Sequence, residues 1–165
     1  MVPAQAPPTP VPVSSASNRL RIPRISVDAA VEAVGVDPQG DMAVPARPDD
    51  VGWYQPGVRP GQPGDAVVDG HLDWTTGPAV FWQLKELQPG DEIFVTLAGD
   101  PTLRFVVSKS FSVPYTARPD SFGLFSRSGS PTLSLITCDG AWDATNHVYQ
   151  QRLVVDADLS GGGAN

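Results

Sequence analysis

Proline and glycine recur so often along this chain that a long helix has no room between them. The 165 residues include 18 prolines and 16 glycines. Proline removes a backbone donor and breaks helix interiors, while glycine favours turns. Short strands joined by turns tolerate this pattern, whereas a helical bundle does not. We therefore expect one all-β domain, a sandwich or a barrel, in a chain of this length.

Charge and the small number of metal-binding residues narrow the class of function. The net charge is -7, which argues against a phosphate-backbone partner, so we expect no nucleic-acid binding. Cys138 is the single cysteine and cannot form a disulfide within the chain. The two histidines, His71 and His147, are too few for most His-rich metal sites. We expect neither a metal nor a cofactor.

The two ends of the chain differ in composition from its body. Residues 1–18 carry no charge and contain five prolines, which predicts a disordered, semi-extended tether. This segment is either a plain N-terminal tail or a stalk that follows a membrane anchor absent from this chain. From the printed residues we expect no membrane-spanning stretch and no signal peptide. We expect the folded domain at 19–158 and a flexible tail at 159–165.

Most of the body has the alternation that is typical of strands. The longest predicted strand, Leu103 to Val113, would place Phe105, Val107, Phe111 and Val113 on one face. The other predicted strands are Arg19 to Ile25, Ala30 to Val36, Asp65 to Leu72, Glu92 to Leu97, Thr132 to Cys138 and Val148 to Asp156. One helix is predicted at Gly77 to Leu87, with Pro78 in its first turn. A second short helix is predicted at Pro48 to Tyr54.

Three side chains at strand ends are candidates for acyl-transfer chemistry. Cys138 ends an apolar strand beside a turn, where a thiol can face a cleft. His71 follows an apolar strand and Gly70, and a histidine relays protons near neutral pH. Arg152 lies among apolar strand residues and could stabilise an oxyanion. Together they would supply a nucleophile, an acid–base group and an electrophile.

Each candidate also has a structural interpretation. Cys138 could be a small buried hydrophobe, His71 a loop histidine bonded to a carboxylate, and Arg152 a solvent-facing strand residue. His147, in a polar loop, is a weaker competitor for the acid–base role.

Acidic residues recur along the chain. Asp65, Asp69 and Asp73 alternate in a way that could line one strand face. A calcium site is conceivable, but no EF-hand loop is present, and we favour a solvated acidic face.

The order of motifs resembles the sortases, the cysteine transpeptidases of Gram-positive cell surfaces. The resemblance covers about Arg19 to Asp158, and its subclass is most like class F, the actinobacterial type, with class E next. The similar segments are Arg19 to Ile25, Gly70 to Asp73, Gly77 to Phe81, Leu84 to Asp91, Leu135 to Cys138 and Arg152 to Val155. After the cysteine, Asp139-Gly140 stands where Gly-Gly is common in class F.

The resemblance implies an eight-stranded sortase-type β-barrel with one or two short helices. It implies that His71, Cys138 and Arg152 are catalytic and that Thr137 contacts the substrate. The implied reaction cleaves a Leu-Pro-x-Thr-Gly-type sorting signal between Thr and Gly through a thioacyl-enzyme. The acyl group then passes to an amine of a cell-wall precursor or a pilin. We expect a monomer at the extracellular face of the membrane, attached through an anchor absent from this chain.

Two other classes remain open at this point. One is a sortase-like barrel that binds peptide without catalysis. The other is an L,D-transpeptidase-type cell-wall enzyme, although its Ser-His-Gly-Cys type of signature is absent from the sequence.

Overall fold

A computed structural model describes residues 18–160, with the side chain of residue 120 left out. Eight strands close into a barrel in the order β1-β2-β3-β4-β9-β10-β8-β7, which confirms the predicted all-β barrel. The strands are β1 (Arg19–Ile22), β2 (Val27–Val34), β3 (Val51–Tyr54), β4 (Asp65–Gly70), β5 (Asp73–Trp74), β6 (Gly77–Pro78), β7 (Glu92–Thr96), β8 (Leu103–Pro114), β9 (Thr132–Asp143) and β10 (Val148–Leu159). β5 and β6 form a separate two-stranded sheet. The predicted tether up to residue 17 and the tail beyond residue 160 lie outside the described residues.

Two of the pairs of adjacent strands in the barrel are parallel, and the other pairs are antiparallel. β2 runs parallel to β3, and β4 runs parallel to β9. β9 then pairs with β10, and β10 with β8, in long antiparallel ladders. The carboxyl end of β4 therefore lies beside the middle of β9, where the sequence places Cys138.

Both helix predictions are wrong as α-helices. Within Gly77 to Leu87 the described chain forms β6, a run of turns and one 3₁₀ helix at Leu84–Glu86. The apolar residues that suggested a helix, Phe81, Leu84 and Leu87, are buried all the same, because consecutive turns also bring them to the core. The second predicted helix overlaps β3. Further 3₁₀ helices lie at Pro23–Ile25 and Pro119–Phe122.

The barrel interior is filled by side chains from alternate positions of every barrel strand. Leu20, Val68, Phe105, Leu135 and Val155 are almost completely inaccessible to solvent. Their neighbours in sequence point outward, since successive strand side chains alternate between faces. Val67, Ile136 and Val154 therefore lie on the outer face of β4, β9 and β10.

Part of this outer face is covered by the connection between β8 and β9, at 115–131. Leu124 from this connection forms a second buried cluster with Val67 and Val154. Phe122 and Phe125 pack against the same cluster from above. The connection thus forms one wall of a groove whose floor is the outer face of the barrel.

Among residues 18–160, no helix has the length and apolarity needed to cross a membrane.

Candidate active site

Three predicted site residues form one row across the outer face of adjacent strands. β4 pairs with β9 in parallel, with Asp69 opposite Ile136. His71 follows the last residue of β4, and extending the register by two residues brings it opposite Cys138; both residues line one groove. Cys138 is in turn paired with Arg152 on β10. Neighbouring strands lie about 4.8 Å apart, so Cys138 lies one strand spacing from Arg152 and about one from the extension of β4 that carries His71. We call His71, Cys138 and Arg152 the site row.

The Cys138 thiol is free and half-buried. Burial raises the pKa of the Cys138 thiol above its usual value, and the charges of Asp73 and Asp69 raise it further. The Arg152 guanidinium lowers this pKa. The resting group is therefore mainly a thiol at neutral pH, and it needs a base to become a nucleophile.

The His71 ring is oriented by a backbone carbonyl. Its Nε2 lies 2.8 Å from the carbonyl oxygen of Pro45, and the ring makes a T-shaped contact with the Trp74 ring at a centroid distance of 4.9 Å. A carbonyl oxygen can only accept a hydrogen bond, so Nε2 carries the proton. The opposite nitrogen, Nδ1, is then the atom that can take a proton from another group.

Arg152 is partly exposed and its hydrogen bonds are local. Its Nη1 donates to the carbonyl oxygens of Tyr149, at 3.0 Å, and Gln151, at 2.9 Å. The guanidinium carbon lies 5.7 Å from the centre of the Tyr115 ring. Within the described residues Arg152 has no carboxylate partner in an ion pair, so its positive charge is available to the groove.

Thr137 and Gly70 join the two strands that carry His71 and Cys138. The Thr137 hydroxyl is 3% exposed and donates to the carbonyl oxygen of Gly70 at 2.8 Å. The Thr137 hydroxyl therefore donates its proton to another part of the protein itself. Gly70 itself packs closely, because a Cβ there would lie 2.6 Å from a ring carbon of Phe81.

The remaining candidates lie outside the site row. His147 is exposed in the turn between β9 and β10, with a positive φ of 55°, next to the Trp142 ring. Asp73 accepts a hydrogen bond from the Tyr149 hydroxyl at 2.6 Å, which helps raise the pKa of Tyr149 to about 12. In the described part of the chain, no group of three or more His, Cys, Asp or Glu side chains could hold a metal ion.

The predicted solvated acidic face is wrong for two of its members. Asp65 and Asp69 are 6% and 9% exposed, although both lie on the outer face of β4. Asp65 accepts hydrogen bonds from Thr132 and Ser134, whereas the Oδ1 of Asp69 has no partner among the described residues. The covering segments bury this face, and alternation within β4 alone gives no sign of them.

The site row faces a groove of about 440 Å³. Apolar side chains from the sheet and from the β8–β9 connection form much of its lining: Met42, Val44, Val113, Phe122, Leu124, Phe125, Ile136 and Val154. A smaller cavity of about 220 Å³, lined in part by Leu72, Trp82 and Tyr149, also borders Cys138. Cys138 thus borders both cavities.

Sequence reasoning missed Pro45 and Tyr115. Pro45 acts through its backbone carbonyl, and Tyr115 lies in the loop after β8, so neither carries a sequence signal of its own. Asp69 was noticed, but as a solvated residue.

Comparisons with known proteins agree with this architecture. A family model described as the sortase domain matches residues 20–160. Sortase C-1 from Actinomyces oris shares 26% identity with a TM-score of 0.65, covering 87% of this chain and 73% of its own. Sortase A from Listeria monocytogenes shares 16% identity with a TM-score of 0.66, covering 87% of this chain and 86% of its own. No curated protein sequence matches the chain.

The lid mutant of sortase A from Corynebacterium diphtheriae is similar at 21% identity, with a TM-score of 0.66, over 87% of this chain and 69% of its own. The structures found belong to several sortase classes, so assignment to class F or class E stays a prediction. The family model covers nearly all of the described barrel and replaces the L,D-transpeptidase alternative. The chain belongs to the sortase family.

Proposed function

We propose that this protein is a cysteine transpeptidase that cleaves a Leu-Pro-x-Thr-Gly-type sorting signal between Thr and Gly. The observation that supports the proposal is the site row: Cys138 pairs with Arg152 across β9 and β10, and both line one groove with His71. The groove beside this row is lined largely by apolar side chains, which suits a peptide that is mostly apolar next to the scissile bond.

Acylation begins with transfer of the Cys138 proton to Nδ1 of His71. The resulting thiolate attacks the Thr carbonyl carbon, and Arg152 stabilises the negative charge that forms on the carbonyl oxygen. The tetrahedral intermediate collapses when the C–N bond to Gly breaks. The departing amine takes the proton from His71, and a thioester remains on Cys138.

Deacylation reverses these roles. An amine of a cell-wall precursor or a pilin lysine attacks the thioester carbon, and His71 takes the proton that this amine loses. The thiolate leaves and a new amide bond forms. We propose that the amine approaches through the smaller cavity, because that space also borders Cys138. Water in place of the amine would give slow hydrolysis.

The place of action follows from the substrate. Sorting signals belong to exported proteins, so we propose that the domain works at the extracellular face of a Gram-positive membrane. A Pro-rich tether at 1–18 would give the domain reach from an anchor. We propose no cofactor and no metal.

A cleavage assay with a fluorogenic sorting peptide tests the proposal. We expect turnover by the native protein and nearly complete loss in Cys138→Ala, His71→Ala and Arg152→Ala, each with an unchanged circular dichroism spectrum. His147→Ala is the matched control, since His147 is exposed and outside the groove, and we expect it to keep full activity. A non-catalytic peptide-binding barrel would instead bind the peptide with no cleavage by any of these proteins.

A further inference from the structure

Asp69 lies in the floor of the peptide groove, next to the site row. On β4 it precedes His71 by two residues, and it pairs with Ile136 on β9 and Gly52 on β3. Its side chain shares the outward face with His71, and both line the groove. From the strand geometry, Asp69 is about 8 Å from Cys138, one strand across and two residues along. An extended peptide spans this distance with about two to three residues.

The carboxyl group of Asp69 is incompletely satisfied. The residue is 9% exposed, and its Oδ1 is buried with no hydrogen-bond partner among the described residues. Gly52 leaves room for this oxygen, because a Cβ at Gly52 would lie 2.6 Å from it. Buried polar atoms in native proteins are normally paired, so a groove-lining carboxyl group whose Oδ1 packs unpaired against Gly52 points to a donor that arrives with the ligand.

The charges around Asp69 favour a hydrogen-bond donor as that partner. Asp37 and Asp41 line the same groove, and Glu32 is close enough to raise the pKa of Asp69. Arg152 is the basic residue among the described groove-lining side chains, and it belongs to the site row. The groove lining therefore contains more acidic side chains than basic ones.

Burial, followed by the charge of Glu32, raises the pKa of Asp69 to about 8. The free enzyme at neutral pH thus holds mainly the neutral acid, with one O–H donor and one carbonyl acceptor. A side-chain amide complements both atoms. An ammonium group would instead take the place of the proton and pair with the carboxylate.

We propose that Asp69 is a specificity-determining residue that binds an N–H donor on the sorting-signal side chain at the Leu or Pro position. The inference rests on the proposed function for the direction in which the peptide lies. A Leu over Asp69 would leave the carboxyl unpaired, whereas an amide or ammonium side chain would pair with it. The signal of this enzyme therefore carries a polar donor where the general pattern has an apolar residue.

Binding to a Cys138→Ala protein tests this without requiring catalysis. The peptides vary the Leu and Pro positions separately, using asparagine, lysine, leucine and norleucine, the last as an apolar match for lysine. Each is titrated by isothermal calorimetry against Cys138→Ala alone and combined with Asp69→Asn or Asp69→Leu. Thermal melting of every variant shows that it is folded, and Asp69→Asn is a nearly isosteric second variant.

We expect Cys138→Ala to bind the asparagine or the lysine peptide about ten-fold or more tightly than the leucine and norleucine peptides at one position. Asp69→Leu removes this preference, and the asparagine and lysine peptides separate an amide donor from an ammonium donor. The inference is overturned if the Cys138→Ala protein ranks the peptides in the same order of affinity with and without Asp69→Leu. Selective binding combined with no cleavage by the native enzyme would count against the proposed function alone.

Discussion

Cys138 on β9 and Arg152 on β10 lie directly opposite each other in an antiparallel ladder. Paired positions of this kind hold their Cβ atoms about 5 Å apart. The guanidinium is therefore fixed beside the thiol by backbone pairing, and its own hydrogen bonds go to the neighbouring carbonyls of Tyr149 and Gln151. This cation lowers the pKa of the Cys138 thiol, and in the proposed reaction it has a second role, stabilising the oxyanion.

Replacing Arg152 separates these two functions. The Arg152 guanidinium lowers the pKa of Cys138, so Arg152→Ala raises it further and shifts the pH midpoint of thiol alkylation upward. Arg152→Lys keeps the charge but loses the planar fork of donors. We expect it to keep an alkylation midpoint near that of the native protein while turnover falls, by about 10²-fold or more in both variants. Iodoacetamide kinetics against pH, with peptide turnover, measure both effects.

Arg21→Ala is the control for charge removal. Arg21 lies on β1, across the barrel, over the ring of Phe94. An equal upward shift in Arg21→Ala and Arg152→Ala would mean that net charge, and not the pairing with Cys138, sets the thiol pKa.

The hydrogen bond from Thr137 to Gly70 connects β9 to the last residue of β4, which immediately precedes His71. Thr137→Val keeps the shape of the side chain but leaves the buried Gly70 carbonyl without this donor. We expect a loss of about 1–3 kcal/mol in the free energy of unfolding, measured by urea denaturation. Thr137→Ser retains the hydroxyl and should lose less. Equal losses in the two variants would show that packing of the methyl group matters more than the bond.

Gly70 has no space for a side chain. A Cβ there would lie 2.6 Å from Cδ2 of Phe81 and 2.9 Å from Cγ1 of Val80. Gly70→Ala must displace this segment or the end of β4, so we expect destabilisation of about 1–3 kcal/mol and reduced peptide cleavage. Gly35→Ala is the matched control, because a Cβ at Gly35 meets nothing within 4 Å. A Gly70→Ala protein as stable and active as Gly35→Ala would contradict this packing.

The raised pKa of Asp69 makes stability depend on pH. The folded protein holds the Asp69 proton up to a pKa of about 8, while the ordinary value is 3.8. The folded state therefore binds more protons than the unfolded state across this window, and the Asp69 contribution to stability is lost as pH rises through it. Asp69→Asn cannot ionise, so this variant avoids the cost of burying a charged carboxylate. We expect its melting temperature to exceed that of the native protein at pH 8, with a much smaller difference near pH 4. An equal difference in melting temperature at both pH values would mean that ionisation of Asp69 does not cause the pH dependence.

Much of the fold follows from the sequence because alternation and turn residues act locally. The predicted strands correspond to most of the barrel. The strand that carries Cys138 was predicted from its own residues, without knowledge of the strands it pairs with. β3 was missed, since Val51–Tyr54 is four residues long and contains a glycine. Its place is set by parallel pairing with β2, which is a long-range interaction.

A register shift explains another error. Phe105 and Val107 fill the barrel interior, but Phe111 packs on the outer cluster and Val113 lines the groove. Lys109 pairs with Asp156 while Val107 pairs with Ala157, so one extra residue enters β8 between them. Such a bulge exchanges the two faces of a strand, and simple alternation cannot foresee it.

The candidate site was predicted as three separate residues. Their common row depends on two registers, Asp69 with Ile136 and Cys138 with Arg152, that only the closed barrel supplies. The orienting carbonyl of Pro45 and the burial of Asp69 come from the segments around β4. These features depend on tertiary packing, so the local pattern did not reveal them.

Intact-protein mass spectrometry after mixing with a Leu-Pro-x-Thr-Gly-type peptide tests the central claim most directly. The peptides used for the Asp69 binding test serve as the panel, and no acceptor amine is added. We predict a mass increase equal to the peptide acyl group that ends at Thr, located on Cys138 by fragmentation, removed by hydroxylamine, and absent from Cys138→Ala. Peptide binding by the native protein with no such adduct at Cys138 would contradict the account.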